Sequence, residues 1–292
     1  MDYCRRIFPA GRSPSTVVWR TIPYAGLHIE GEVQPLMTEE MLDEKQLLQE
    51  GEYEYPYHYI PTWGSGGFSQ TRFWSWGFRY LGGFQVVLDI LREIQFDSIV
   101  DVGCGDGRFL SEAQIYFSGK TLLGIDYSER AVKLARVMEP NVEYQTVNIL
   151  DRPLGHQFDV ATCIEVLEHI QPGYVEKFCE SLASVIKSGG KLVLTVPHSN
   201  TAVNAKHYQH FNSKQLTDLF EPYFTDITFT PFDQQSRLAV PILQRILGGA
   251  GSHFVVTNQK LTSMFFEIYR KRYLYARSEE DCYRIACVAT RV

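Results

Sequence analysis

From about residue 97 onward the chain alternates short β-branched runs with helical patterns, a rhythm that commits it to a parallel sheet wrapped by helices. The runs are SIVDV (98–102), TLLGID (121–126), VEYQTV (142–147), FDVATCI (158–164) and KLVLTVP (191–197), followed late by FTDITFT (224–230) and YRIACVAT (283–290). Between them lie RFLSEAQIYF, SERAVKLARVM and GYVEKFCESLASVIKSGG, each long enough for one crossover helix. The last ends in Gly189 and Gly190, as a helix C-cap does.

Two segments stand outside this rhythm. Residues 1–70 are punctuated by Pro and Gly, contain one helical stretch, TEEMLDEKQLLQE, and lead into a zone with eleven aromatics from Tyr53 to Tyr80. Trp63, Trp74 and Trp76 belong to that zone, and such density must cover something apolar. In the second segment, 232–281, Leu238, Ile242, Leu243, Ile246 and Leu247 share one helical face, and Leu261, Met264, Phe265 and Ile268 share another. That spacing predicts two amphipathic helices inserted before the last strand. The expected organisation is an N-terminal extension or lid over 1–70, then a domain over 71–292 with a helical insertion at 232–281.

With 292 residues, 45% hydrophobic and 21% charged, the chain buries a sizeable core. Its 28 Lys and Arg against 34 Asp and Glu give a net charge of −6, which offers no general attraction to a polyanion and disfavours nucleic acid as a partner. Six cysteines with no C-x-x-C pair read as reduced thiols in a cytoplasmic protein and argue against zinc. Arg5 and Arg6 are followed by Pro9, Gly11 and Pro14 rather than an unbroken apolar segment, and no stretch approaches a membrane span.

DVGCGDGRF (101–109) follows the first strand and opens a helix, so Gly103, Gly105 and Gly107 form a tight turn where a nucleotide can approach the backbone. A dinucleotide fingerprint would need glycine at 108, where this chain has Arg108, and a P-loop would need Gly-Lys-Ser/Thr. Asp126 ends the second strand, where an acid accepts the two hydroxyls of a ribose, and Asp101 adds a carboxylate suited to a cationic amino group. Adenosine joined to a positively charged amino acid is S-adenosylmethionine.

The string VDVGCGDGRFL, with the ribose acid and FDVATCIEVLEHI in order behind it, resembles the class I S-adenosylmethionine-dependent methyltransferases over roughly residues 80–231 and the final strand. The resemblance implies a doubly wound α/β fold with a seven-stranded sheet whose last strand is antiparallel, and S-adenosylmethionine as cofactor. It implies that Asp101, Gly103 and Gly105 face the methionine part, with Cys104 between the glycines in the same contact set. Asp126 then takes the ribose and Tyr127 lies beside the adenine, while Asn148, where the family often has Asp, and Ile149 form the adenine turn.

Glu165 stands at the carboxyl end of the fourth strand, in the ligand crevice of such sheets, and counts among the cofactor contacts. Once the chain turns helical, Glu165, Glu168 and His169 fall at i, i+3 and i+4 on one face. The E-x-x-E-H string is similar to that of small-RNA 3′-end 2′-O-methyltransferases, where it binds a divalent metal with a later histidine. That alternative implies Glu165, Glu168, His169 and His210, with His207 also on offer in KHYQHF. The same string resembles ubiquinone-pathway and natural-product O-methyltransferases, for which no metal is expected. Glu165 or Glu168 complementing a helix N-terminus, and His169 as a core histidine, stand beside both readings.

The expected activity is methyl transfer to a small-molecule hydroxyl of a sugar or natural-product type, assisted by a histidine base. The candidates are His169, His198, His207 and His210, with His169 and His210 ranked first. Tyr57, His58 and Tyr59 are the expected substrate contacts in the aromatic lid. The 232–281 insertion serves as a substrate cap, a homodimer face or an amphipathic pair resting on a membrane. A non-catalytic S-adenosylmethionine-binding protein is the remaining alternative.

Overall fold

The computed structural model describes residues 42–54, 62–64, 67–69, 75–235 and 258–292. Strands β1 (Thr62–Gly64) and β2 (Gly67–Ser69) form a small antiparallel hairpin inside the aromatic zone. The seven remaining strands are β3 (Ser98–Val102), β4 (Thr121–Asp126), β5 (Glu143–Thr146), β6 (Phe158–Ile164), β7 (Ile186–Pro197), β8 (Phe224–Gln234) and β9 (Cys282–Arg291). They make one sheet in the order β5-β4-β3-β6-β7-β9-β8, parallel except for β9, which runs antiparallel to both neighbours. The doubly wound α/β sheet expected from the sequence is therefore the one observed.

Alternate residues along each inner strand feed opposite faces, as the pleat requires. On one face Val100, Leu123, Ala161, Leu192 and Leu194 pack against helices α5 (Val175–Ser184) and α6 (Ser213–Phe220) through Phe178, Leu182, Leu216 and Phe220. On the other, Ile99, Leu122, Val160 and Val193 meet α2 (Ser75–Arg92), α3 (Arg108–Tyr116) and α4 (Glu129–Met138). Helix α2, not anticipated from the sequence, contributes Phe84, Val87, Leu88 and Leu91 at helical spacing. Among the described residues no helix is long and apolar enough to cross a membrane.

Two sequence expectations fail here. GYVEKFCESLASVIKSGG does not stay helical to its glycines: α5 stops at Ser184, and Ile186 already pairs with Phe158 in β7. Gly190 sits against the sheet, where a Cβ would lie 2.7 Å from the Asp159 carbonyl, so this glycine serves a close strand approach rather than a helix cap. Helix α7 (Gln259–Arg272) is the second of the two expected insertion helices; the first lies outside the described residues. It packs through Phe266 and Tyr269 against Phe78, while Met264 and Ile268, expected on its apolar face, are exposed. Ring-on-ring contact with α2 sets its rotation rather than the aliphatic stripe.

The strand order changes direction at β3: β4 and β5 lie on one side and β6 on the other. The carboxyl ends of β3, β4 and β6 therefore open a crevice, and the glycine turn, Asp126 and Glu165 all stand at its rim.

Candidate active site

The turn after β3 is tied to its neighbour strand, with the Gly103 and Cys104 amides both donating to the Ile125 carbonyl, at 2.8 and 3.0 Å. Gly103 has φ +78°, and a Cβ there would stand 2.4 Å from Val166 Cγ2. Gly105 has φ +54° and lies under the Tyr53 hydroxyl, which a Cβ would meet at 3.4 Å. Both positions need glycine for conformation, and Gly103 for space as well. Cys104 is buried, with its sulfur beside Gly124, and takes part in the turn through its backbone.

Asp126 is buried and holds the turn: Oδ2 accepts the Gly105 amide at 2.9 Å and Oδ1 the Ser128 amide at 2.9 Å. Burial pushes its pKa up to about 6, against the pull of those amides. Asp101, also buried, accepts a 2.6 Å hydrogen bond from the Thr162 hydroxyl, and burial raises it to about 7. Beside them a cavity of about 130 Å³ is lined by Val102, Asp126, Tyr127, Asn148, Ile149 and Phe178. Asn148 Oδ1 accepts the Leu150 amide at 3.1 Å and shapes the turn after β5.

A second cavity, of about 540 Å³, runs from Asp101, Gly103 and Gly105 past Glu165 and the histidines to Arg284. Glu165 is not on a helix: it takes φ +56°, its amide donates to the Thr195 carbonyl at 2.9 Å, and its Oε1 accepts the Thr195 hydroxyl at 3.0 Å. A non-glycine residue in this region is strained by roughly 1–2 kcal/mol. A three-residue 3₁₀ turn, Leu167–His169, comes next and excludes Glu165, so the shared helical face expected for Glu165, Glu168 and His169 does not form.

Glu168 is fully buried, and among the described residues nothing donates a hydrogen bond to either of its carboxylate oxygens. Burial, with Glu165 nearby, pushes its pKa well above the ordinary carboxylate range. His169 lies beside it, Nε2 4.0 Å from Glu168 Oε1, and its Nδ1 is 3.2 Å from the Lys206 carbonyl. A carbonyl only accepts, so Nδ1 carries the proton and Nε2 presents its lone pair to the cavity. Burial, followed by the Lys206 charge, lowers this imidazole to about 4, so it is neutral at physiological pH.

The same reasoning sets the other two rings. His210 Nδ1 meets the Thr201 carbonyl at 3.1 Å and the Thr201 hydroxyl at 2.8 Å, and that hydroxyl already donates to the His198 carbonyl. His210 is therefore protonated at Nδ1, and its Nε2 accepts from His207 Nδ1 at 2.8 Å. His207 is left with its lone pair on Nε2, where Asn204 donates at 3.1 Å. Burial and the neighbouring histidines lower His207 to about 3. Glu168, His169 and His207 bring their ligand atoms within 4.8 Å of one another. In that grouping His207 stands in place of Glu165 and His210 of the alternative metal set read from the sequence.

His198 is a different case. Its Nδ1 accepts the Asn200 amide at 3.1 Å and its Nε2 donates to Glu279 at 2.9 Å, so both nitrogens are committed to holding the loop after β7. The structure does not bring it to either cavity wall, and it is unavailable as a base. Tyr57, His58 and Tyr59 lie outside the described residues. Sequence reading missed Arg79, Asp233 and Arg284, which line the far end of the larger cavity. Asp233 Oδ2 lies 3.3 Å from Arg79 Nε and 3.5 Å from Arg284 Nε, so one buried carboxylate serves two guanidinium groups. The only sequence signal was position, since Asp233 and Arg284 fall near the ends of β8 and β9 at this rim.

The family of methyltransferase domains matches residues 73–223, more than half of the chain, and the chain belongs to that family. With this fold and glycine turn it is a class I S-adenosylmethionine-dependent methyltransferase, and S-adenosylmethionine is its cofactor. The ubiquinone biosynthesis O-methyltransferase of Thiobacillus denitrificans is 38% identical over 109 residues, covering 35% of this chain and 45% of that protein. The chain thus matches just under half the length of such curated relatives. Among solved structures, a possible histamine N-methyltransferase from Thermotoga maritima matches with TM-score 0.52 at 17% identity, over 75% of this chain and 91% of that one. The N-methyltransferase NodS of Bradyrhizobium japonicum, solved with S-adenosylhomocysteine, matches with TM-score 0.50 at 14% identity, over 73% and 87%. Both share the fold.

Proposed function

We propose that the chain methylates a hydroxyl of a small-molecule acceptor, with His169 as the base. The observation that carries this reading is the neutral His169 ring, pinned at Nδ1 and open at Nε2, on a cavity continuous with the glycine turn. The curated relatives, named ubiquinone biosynthesis O-methyltransferases, support oxygen as the atom methylated. The −6 net charge lends no support to an RNA acceptor.

The cofactor fits the residues present. Two buried carboxylates stand beside a turn whose Gly103 and Gly105 take left-handed φ and carry no Cβ, which suits a ligand with an ammonium group and a pair of hydroxyls. When bound, the cofactor supplies an activated methyl on sulfur. Asp126 would accept the ribose hydroxyls, Tyr127, Asn148 and Ile149 would meet the adenine, and Asp101 would accept the ammonium, all from the walls of the two cavities. His169 Nε2 then takes the acceptor hydroxyl proton, while the apolar walls at Phe84, Phe109 and Ile164 exclude water. In a screen of phenols and sugars with labelled S-adenosylmethionine, a hydroxyl product forms, and His169→Ala lowers kcat about a hundredfold. An N-methylated product, or an unchanged kcat in His169→Ala, would exclude this assignment.

Asp101 gives the reaction a pH signature. Its folded pKa of about 7 lies above its ordinary 3.8, so in the free protein stability falls as pH rises between those values. A bound ammonium favours the ionised carboxylate, so affinity for S-adenosylhomocysteine rises from about pH 6 to 8 and levels off above the folded pKa. Calorimetry across that range shows the slope in the wild type and a shallower one in Asp101→Asn, where only Asp126 still titrates near the lower end; equal slopes in both proteins would refute the role.

A second reading is favoured by Glu168. A buried carboxylate without donors, beside the His169 lone pair and a His207 Nε2 lone pair that Asn204 would have to yield, is a donor set that suits a divalent cation such as Mg²⁺ or Mn²⁺. Glu168, His169 and His207 would hold it, and when bound it supplies Lewis acidity toward a hydroxyl. His210 and Thr201, by fixing the His207 tautomer, would orient that ligand.

A further inference from the structure

The two cavities share a wall made by α1 (Glu44–Gly51) and the turn 204–208, segments far apart in sequence. We infer that Asp43, Lys45 and Glu52 are positioning residues for His207: α1 clasps that turn, so that filling the cofactor cavity sets the histidine on the acceptor side. The inference rests on the cofactor assignment made above.

Lys45 Nζ donates to the carbonyls of Ala205 at 3.1 Å and His207 at 2.6 Å. Asp43 works at both ends of the contact. Its Oδ1 caps α1 by accepting the Lys45 and Gln46 amides at 2.9 and 3.0 Å, and its Oδ2 accepts the Tyr208 hydroxyl and the Gln171 amide. Glu52 pairs with Lys206 at 2.7 Å, and the Lys206 carbonyl is the acceptor that fixes the His169 tautomer. One turn of chain therefore holds both imidazoles, and it is anchored in part on α1.

Among the described residues the helix has few other anchors, such as Arg130, which donates to the Glu50 carbonyl at 3.3 Å. None of its residues is buried, Leu47 and Leu48 are 46% and 47% exposed, and eight residues are too few for a helix to persist alone. Its inner side, Lys45, Gln46 and Gln49, lines the cofactor cavity, with Tyr53 just beyond it against the glycine turn. A nucleoside that orders α1 reduces the cost of ordering the 204–208 turn, and the linkage is reciprocal. The acceptor site is then completed only after the cofactor is in place.

The test needs no acceptor, only the full chain, S-adenosylhomocysteine and the variants Lys45→Met and Lys45→Arg. Hydrogen exchange is expected to slow over both 44–51 and 204–208 when S-adenosylhomocysteine binds the wild type, and imidazole nitrogen resonances to show His207 in one tautomer. Lys45→Met weakens S-adenosylhomocysteine binding about tenfold. It also leaves 204–208 unprotected and gives His207 a mixed-tautomer signature, while Lys45→Arg restores all three readouts. Protection of α1 without any change at 204–208 and His207 would overturn the clasp, as would wild-type behaviour of Lys45→Met. Failure of S-adenosylhomocysteine to bind the wild type would overturn the cofactor assignment and the clasp with it, and calorimetry on the wild type separates that case from the others.

Discussion

Asp126→Ala reduces affinity for S-adenosylhomocysteine by roughly two to four orders of magnitude, the span of two lost hydrogen bonds to a charged group. The carboxylate spends one lone pair per oxygen on the Gly105 and Ser128 amides, which fixes its plane and leaves one lone pair per oxygen for a ribose diol. On the cofactor placement proposed above, removing it would take away both ribose contacts and release the glycine turn. Asp126→Asn separates the two effects, because one oxygen still accepts an amide while the NH₂ cannot accept a hydroxyl. It falls between wild type and Asp126→Ala in a calorimetric titration, with melting temperatures serving to exclude unfolding. Wild-type affinity in Asp126→Ala would show that the ribose lies elsewhere.

Glu168→Leu raises the stability of the metal-free protein. A carboxylate buried without donors costs about 1–3 kcal/mol, which an apolar side chain of similar size recovers. At about 2–4 °C per kcal/mol for a domain of this size, the melting temperature rises by roughly 2–12 °C. The sign depends on pH in a defined way. Because the folded pKa of Glu168 is raised far above 4.5, the folded state keeps this proton after the unfolded chain has lost it, and wild-type stability falls as pH rises above 4.5. The advantage of Glu168→Leu is therefore larger at pH 8 than at pH 5. Mn²⁺ in excess raises the wild-type melting temperature and leaves that of Glu168→Leu unchanged, since only the folded wild type offers the three-ligand site. A destabilised Glu168→Leu would mean that the carboxylate has protein partners in the folded state, and equal Mn²⁺ shifts in both proteins would remove the cation.

The parts of the molecule governed by local pattern were readable in the sequence. β3, β4 and β6 begin and end where their β-branched runs do, and Ser128 caps α4 at the start of SERAVKLARVM. The glycine turn was equally local, because backbone approach needs glycines at fixed spacing and Arg108 excluded the dinucleotide form. What depends on distant segments was not readable. Glu165, Glu168 and His169 were expected on one helical face, but the Thr195 hydrogen bonds at the end of β7 hold Glu165 in a left-handed conformation that stops a helix from starting. His207 becomes a partner of His169 only because the loop after β7 folds back, and the Arg79–Asp233–Arg284 group joins α2, β8 and β9. Gly189 and Gly190 show the reverse error, where a local helix-stop signal was overridden because β7 already starts at Ile186, paired with Phe158.

The most direct measurement is a crystal structure of the protein soaked with S-adenosylhomocysteine. It is expected to show the ribose hydroxyls on Asp126, the amino group at Asp101, and the sulfur turned toward the cavity that holds His169 Nε2. A nucleoside bound away from the glycine turn, or a sulfur facing away from that cavity, would contradict the account.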